Sequence, residues 1–136
     1  MSKDYFHDTV KRALEKDGWK ITDDPFIIRD GKVALAVDLA AEKLIAAERG
    51  TQKIAVEIKS FLGSIVNEFN SALGQYLGYL QIIHKKEPDR LLYLAIPVDV
   101  NTEIMRIGYY TDLIDKYKLQ LIVYDPNREV ISEWIN

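Results

Sequence analysis

Apolar residues recur along this chain at two spacings, and the spacing changes from segment to segment. Three segments place apolar residues every three or four positions, which predicts helices with one buried face; they are residues 3–17, 65–86 and 104–117. Gly18 follows the first of these segments and predicts its end. The sequence therefore predicts three amphipathic helices separated by shorter apolar runs.

The shorter apolar runs have the length and residue content of β-strands. They cover residues 19–21, 26–28, 33–37, 43–49, 53–59, 91–96, 119–124 and 129–134. Asp30-Gly31 and Gly50-Thr51 predict hairpin turns, so we expect an antiparallel meander among the early strands. Residues 91–96 are apolar on both faces, which predicts a buried central strand that ends at Pro97. The predicted fold class is α/β (α+β), with a mixed central sheet flanked by helices and a core order α-β-β-β-α-β-α-β-β.

The composition is typical of one globular domain, which we place at residues 1–136. The apolar fraction is 48% and the charged fraction is 29%, both near the averages for soluble domains. The first residues carry charges where a signal peptide is apolar, and no run approaches the ~20 apolar residues of a membrane span. We therefore expect a cytoplasmic protein without membrane attachment.

Composition also limits the metal chemistry and the partners. The chain has no cysteine, and only His7 and His84 offer imidazole, so any metal would be held mainly by oxygen. The formal net charge of -3 argues against a protein that coats nucleic acid, because that affinity comes from Lys and Arg. Local DNA contact through a basic patch or a bound cation is still compatible with this charge.

Three charged residues stand at the ends of strand-like runs. Asp38 follows the run 33–37, while Glu57 and Lys59 close the run 53–59. Because side chains alternate along a strand, Glu57 and Lys59 share one face. Charged groups are rarely buried without partners, so we expect this face to open onto a cleft, a metal or a counter-charge. The same spacing also occurs on ordinary solvated strands and in simple ion pairs.

The second predicted helix contains two glycines one turn apart, Gly74 and Gly78. Each costs roughly 1 kcal/mol of helix propensity relative to alanine. Their presence predicts a place where another backbone packs closely. A homodimer surface is one interpretation, since symmetric dimers are the commonest oligomers.

The element order and these charged residues resemble the PD-(D/E)XK nuclease-like superfamily, whose restriction-endonuclease-like core carries an Asp and a Glu-x-Lys motif on adjacent strands. In the following helix, Gln75-Tyr76-Leu77-Gly78-Tyr79 is similar to the Gln-x-x-x-Tyr element of the RecB-like branch. Two departures accompany the resemblance. Val37 stands where the motif name has proline, and His7 falls near the position at which many members carry a first-helix glutamate.

Over nearly its full length the chain is also similar to a narrower family, XisH, described as fdxN element excision controlling factors of cyanobacteria. The motifs that carry this resemblance are Phe6-His7-Asp8, Lys16-Asp17-Gly18-Trp19, Thr22-Asp23-Asp24-Pro25, Val37-Asp38-Leu39-Ala40-Ala41-Glu42, Ile54-Ala55-Val56-Glu57-Ile58-Lys59-Ser60-Phe61 and Asp125-Pro126. The resemblance implies a role in the controlled removal of a DNA element, beside a recombinase and with a companion protein, XisI.

The nuclease resemblance implies a role for each site residue. Asp38, Glu57 and the Ile58 carbonyl would hold Mg²⁺ or Mn²⁺, and Lys59 would orient the attacking water or stabilise the phosphate. Gln75 and Tyr79 would contact phosphate or hold Lys59 in place. His7 would be a ligand, a proton carrier or a partner for Asp38.

Two functions stay open at this point. In the first, the chain is a Mg²⁺- or Mn²⁺-dependent endodeoxyribonuclease that acts on linear, supercoiled or branched DNA. In the second, it keeps the nuclease-like fold but acts without catalysis, by binding DNA, a recombinase or an XisI-like companion.

Overall fold

The computed structural model describes residues 4–136, which form four helices and eight strands. In chain order these are α1 (His7–Lys16), β1 (Lys20–Asp23), β2 (Phe26–Asp30), β3 (Val33–Val37), β4 (Leu39–Ala46), β5 (Gly50–Ile58), α2 (Ile65–Lys86), β6 (Arg90–Pro97), α3 (Val98–Ile104), α4 (Gly108–Tyr117), β7 (Leu121–Asp125) and β8 (Val130–Ile135). The structure is therefore mixed α/β, as the sequence predicts.

The main sheet has six strands in the order β1-β4-β5-β6-β7-β8. Its centre is parallel, because β6 pairs in parallel with both β5 and β7, and its outer pairs are antiparallel. The crossovers between the parallel strands run through α2 and through α3 and α4. The predicted buried central strand is confirmed as β6, with residues 92–97 buried.

The early strands do not form the single meander that the sequence predicts. Strands β2 and β3 pair only with each other in a separate hairpin, and β1 pairs with β4 across it. The hairpin folds toward α2, because its alternating apolar residues Phe26 and Ile28 are buried in the core that α2 covers. Three strands of the main sheet therefore precede α2, in agreement with the predicted core order.

Two apolar layers cover the two faces of the main sheet. On one face α1 buries Val10, Ala13 and Leu14, and Val10 and Leu14 pack against apolar residues of β4, β5 and β7. On the other face α2, α4 and the hairpin pack over the alternate residues of the same strands. The periodic apolar residues of α1 and α2 thus place the two helices on opposite faces.

A buried tyrosine ties α2 to the sheet. The Tyr76 hydroxyl donates to the Leu92 carbonyl at 3.1 Å and accepts from the Gln120 backbone N–H at 3.3 Å. Its side chain is 1% exposed. Both capacities of this hydroxyl are therefore used inside the core, which fixes the middle of α2 against β6.

Several predicted boundaries are wrong. The predicted third helix, 104–117, begins at Gly108 instead, because Ile107 is extended, and the short helix α3 before it was not predicted. The predicted start of α1, Lys3, lies outside the described residues, and within them the helix begins at His7. The turn of the β4–β5 hairpin precedes Gly50, which has a positive φ of 75° that glycine adopts without steric cost.

The two glycines of α2 do not pack against another backbone within the described residues. A Cβ placed on Gly74 would meet nothing within 4 Å, and one on Gly78 would meet only the Leu35 side chain, at 4.0 Å. The predicted close approach of a second backbone is therefore wrong within the chain, and the homodimer stays a prediction. None of the helices in the described part of the chain combines the length and apolarity needed to cross a membrane.

Candidate functional site

The strand pairing brings Asp38 and Glu57 together. Asp38 lies between β3 and β4, and the register of β4 on β5 pairs the next residue, Leu39, with Val56. The Asp38 carboxylate accepts a hydrogen bond from the Ile58 N–H at 2.8 Å, and the Asp38 N–H donates to Glu57 Oε1 at 3.4 Å. The two carboxylates are therefore held at the end of β5 by reciprocal contacts with the neighbouring backbone.

Glu57 and Lys59 lie on one face, as the alternation predicts. Lys59 Nζ is 3.8 Å from Glu57 Oε2. The Glu57 side chain is 7% exposed and that of Lys59 is 19% exposed, so this contact is shielded from solvent. The interpretation as a solvated strand face is wrong for Glu57, whereas a simple ion pair describes part of what is seen.

Burial and mutual repulsion leave the two carboxyls with a high affinity for protons. Burial, and then the charge of Asp38, raise the pKa of Glu57 from 4.5 to about 8, while Lys59 opposes the change. Burial also raises the pKa of Asp38, although the Ile58 N–H and the nearby His7 favour its ionised form. A side-chain hydrogen bond links the two carboxyls, so Glu57 holds a proton near neutral pH. Such strongly perturbed, paired carboxyls are typical of functional sites.

The two predicted residues of α2 lie in different surroundings. Tyr79 is 6% exposed and lies against the carboxyl pair. Burial, followed by the charges of Glu57 and Asp38 and a hydrogen bond to Glu57, raises the pKa of Tyr79 above its ordinary value. Gln75 is exposed one turn earlier on α2. The structure thus joins Tyr79 to the site and leaves Gln75 at the surface of the helix.

His7 is buried beside the site, but its hydrogen-bond partner is Asp24. Its Nε2 lies 2.7 Å from Asp24 Oδ1, and Lys11 Nζ lies 2.8 Å from Asp24 Oδ2. Partial burial would raise the pKa of Asp24, but the hydrogen bonds from Lys11 and His7 hold that pKa below its ordinary value. The His7 Nδ1 atom is buried without a hydrogen-bond partner, and its ring is close enough to Asp38 to affect that carboxyl.

Sequence reasoning missed a third carboxylate, Asp4. Asp4 precedes α1, and its Oδ2 accepts hydrogen bonds from both the N–H and the hydroxyl of Ser60, each at 3.1 Å. Its charge contributes to the raised pKa of Asp38, which places it near the carboxyl pair. The spacing from Gly18 pointed to His7, one turn further on. The signal that could have identified Asp4 is its position at the start of the predicted helix.

The donor set suits a hard cation that keeps several of its waters. Asp38 and Glu57 offer carboxylate oxygens, and magnesium commonly binds through one or two carboxylates. Among residues 4–136, no group of three His, Asp or Glu side chains is arranged to hold a metal ion. Two cavities of about 620 and 440 Å³ lie elsewhere, the first lined by Tyr76 and Leu119 and the second by Trp19 and Trp134. The carboxyl pair therefore lies outside both of these cavities.

Comparison with known proteins decides the family. The sequence matches the family model described as XisH protein over residues 1–132. This chain belongs to the XisH family. No curated protein matches this XisH-family chain.

Two solved structures share the fold of the XisH-family chain along nearly its whole length. One is an XisH family protein from Nostoc punctiforme, with 42% identity, a TM-score of 0.89, and coverage of 98% of this chain and 100% of that one. The other is an fdxN element excision controlling factor protein from Anabaena variabilis, with 46% identity and a TM-score of 0.88. That alignment covers 96% of this chain and 98% of the other.

Proposed function

We propose that this XisH-family chain helps to control the excision of a DNA element, and that Asp38, Glu57 and Lys59 form a nuclease-like site that hydrolyses phosphodiester bonds. The first part follows from family membership and from the relative named as an fdxN element excision controlling factor. The observation that carries the second part is the contact of a buried Glu57 with a half-buried Asp38, with Lys59 on the same face as Glu57. The restriction-endonuclease-like core belongs to the same proposal.

The carboxyl pair fits a Mg²⁺ or Mn²⁺ ion because it lacks a full counter-charge. Lys59, 3.8 Å from Glu57, does not offset the burial of Glu57 and the charge of Asp38, which together raise the pKa of Glu57 to about 8. A divalent cation would take the place of the proton on Glu57, with Asp38, Glu57 and the Ile58 carbonyl as ligands. When bound, the ion would supply Lewis acidity toward the phosphate and toward a water molecule.

The remaining residues would act on the substrate and on the geometry of the site. Lys59 would donate to a phosphate oxygen or orient the attacking water, since its ammonium lies 3.8 Å from Glu57. Tyr79, whose hydroxyl stays protonated, would hold Glu57 in position. In this proposal Gln75, exposed on α2, would contact the DNA backbone rather than the ion.

The test is metal-dependent cleavage of supercoiled and branched DNA, with Glu57→Gln and Lys59→Met compared with the natural chain. Each change should lower the cleavage rate about 100-fold or more, as losses of charge-stabilising groups do. Lys53→Met, at an exposed position on the same strand, and Glu133→Gln, at an exposed position on β8, are matched controls that should keep the activity. Absence of cleavage by the natural chain with either metal, or equal cleavage by Glu57→Gln, would contradict the catalytic part.

A second candidate is an accessory factor without catalysis, which binds DNA, a recombinase or an XisI-like companion. The observation that favours it is that no third side chain completes a metal-binding group among residues 4–136. Calorimetric titration with Mn²⁺ separates the candidates, because only the nuclease proposal requires binding that Glu57→Gln abolishes. Co-purification of an XisI-like protein with both the natural chain and Glu57→Gln would favour the accessory role.

A further inference from the structure

The peptide that carries Lys59 is held from three separate parts of the chain. The Lys59 N–H donates to the Ala95 carbonyl of β6 at 3.0 Å, and its own carbonyl accepts from the Tyr124 hydroxyl of β7 at 3.0 Å. The next N–H, that of Ser60, donates to Asp4 at 3.1 Å. β5 ends at Ile58, so these three hydrogen bonds continue the order of the strand for two residues beyond its end.

Both carboxylate oxygens of Asp4 accept hydrogen bonds. Oδ2 accepts both the N–H and the hydroxyl of Ser60, and Oδ1 accepts the Phe6 N–H at 2.9 Å. The Asp4 carbonyl also accepts the His7 N–H at 3.0 Å, so the aspartate is fixed to the start of α1. These contacts describe a connector between α1 and the end of β5 rather than a group turned toward a ligand.

Tyr124 holds the same peptide from the opposite side. Its side chain is 0% exposed, and its ring meets Phe6 edge to face with centroids 5.8 Å apart. Burial, with the charge of Asp4, raises its pKa, so the hydroxyl remains a donor over the working pH range. Phe6 thus lies in contact with Tyr124 and hydrogen-bonds to Asp4, which links the two holding groups.

The backbone leaves the extended conformation two residues after Lys59. Phe61 has a φ of 56°, in the left-handed region that residues with a Cβ seldom adopt. The Lys59 ammonium lies 3.8 Å from Glu57, and the side chain is only 19% exposed. A lysine side chain is flexible and its ammonium is strongly hydrated, so this placement has to be maintained against solvent. A peptide free to rotate would let the ammonium turn to solvent.

We propose that Asp4 and Tyr124 are positioning residues that fix the Lys59 peptide and thereby aim the Lys59 ammonium at the carboxyl pair and the phosphate. This inference rests on the proposed function for its catalytic consequence. The arrangement itself is a property of the folded chain and can be measured without cleavage. Neither residue touches the reacting atoms, so both act through Lys59.

The activity-independent test is NMR of lysine side chains in selectively labelled protein, with the Lys59 signal assigned by its loss in Lys59→Arg. Asp4→Asn and Tyr124→Phe should both move the Lys59 ε-methylene signals toward those of exposed lysines and speed amide exchange at Ser60. The matched controls are Asp30→Asn, a surface carboxylate paired with Lys85, and Tyr93→Phe, a buried hydroxyl that donates to Asn136. Unchanged Lys59 signals in both Asp4→Asn and Tyr124→Phe would overturn the inference.

Cleavage kinetics and metal binding supply the second readout. For supporting residues of this kind, kcat should fall about 10- to 100-fold while KM for DNA and the Mn²⁺ affinity stay unchanged. A loss of Mn²⁺ affinity in Asp4→Asn equal to that in Asp38→Asn would make Asp4 a ligand and overturn its role as a positioning residue. If the natural chain does not cleave DNA, the proposed function fails, and the NMR comparison still decides whether the two residues position Lys59.

Discussion

Replacing Glu57 by glutamine should stabilise the protein at alkaline pH, and the size of the effect can be worked from the carboxyl pair. Glu57 has a pKa of about 8 in the folded chain, against 4.5 when exposed. Between these values the folded chain binds a proton that the unfolded chain releases. The contribution of Glu57 to stability is therefore present below about pH 4.5 and is lost as the pH rises through 8.

The magnitude follows from the free energy of a tenfold change in proton affinity, which is about 1.4 kcal/mol. The difference between 4.5 and about 8 then corresponds to roughly 5 kcal/mol over the full range. Glutamine has a similar shape and no charge, so Glu57→Gln escapes this loss. Relative to the natural chain, the variant should gain about 4 kcal/mol in free energy of unfolding between about pH 5 and pH 9.

Urea unfolding of both proteins, in a chelator and at a series of pH values, measures this difference. The fluorescence of Trp19 and Trp134, whose ring centroids lie 5.6 Å apart, reports the transition. Subtracting the two curves of unfolding free energy against pH removes the contributions of the other titrating groups. Asp38 interacts with Glu57, so the remaining difference reports the titration of both carboxyls together. Glu133→Gln, at an exposed position, should follow the natural chain. A variant that is less stable at high pH, or a difference independent of pH, would refute the reasoning.

Three further predictions concern groups outside the carboxyl pair. Tyr76→Phe removes the partner of the half-buried Gln120 N–H, while the Gln120 side chain still donates to the Leu92 carbonyl, and should lower the free energy of unfolding by about 1–3 kcal/mol, measured by urea titration; a neutral result would mean that water replaces the hydroxyl. Asp24→Asn weakens the contacts to His7 and Lys11 and should destabilise the chain by about 1–3 kcal/mol at neutral pH. Because the pKa of Asp24 is lowered, this contribution is lost as the pH falls below its ordinary value of 3.8, so thermal unfolding of the two proteins should converge in acid. Leu39→Ala opens a cavity at a fully buried position and should cost about 2–5 kcal/mol, and a melting temperature equal to that of the natural chain would contradict this estimate.

The sequence predicted those parts of the fold and site that depend on local periodicity. The long apolar repeat of α2, the two-sided apolar run of β6 and the shared face of Glu57 and Lys59 are all confirmed. Each of these features depends only on residues within one segment, because side-chain direction repeats every 3.6 residues in a helix and every 2 in a strand. Membership of the XisH family is confirmed as well, whereas the wider nuclease superfamily stays a prediction.

Features that depend on partners distant in sequence could not be predicted in the same way. The pairing of β1 with β4 depends on where the intervening hairpin packs, and the local pattern of residues 19–28 does not contain that information. The contact between Asp4 and Ser60 joins positions 56 residues apart. The break between α3 and α4 falls at three residues of which none is glycine or proline, so no turn residue marks it within the break.

The hydrogen bonds that hold the Lys59 segment can form only after distant parts of the chain have come together. They join positions 56 and 65 residues apart, and the Lys59 N–H bonds to β6, which pairs in parallel with β5. Loops of this length close late, because their entropy must be lost before their contacts form. Without β7, the Tyr124 hydroxyl is not available to donate to the Lys59 carbonyl. Ala95, Tyr124 and Asp4 must therefore all be in place before the Lys59 segment has its complete set of hydrogen bonds.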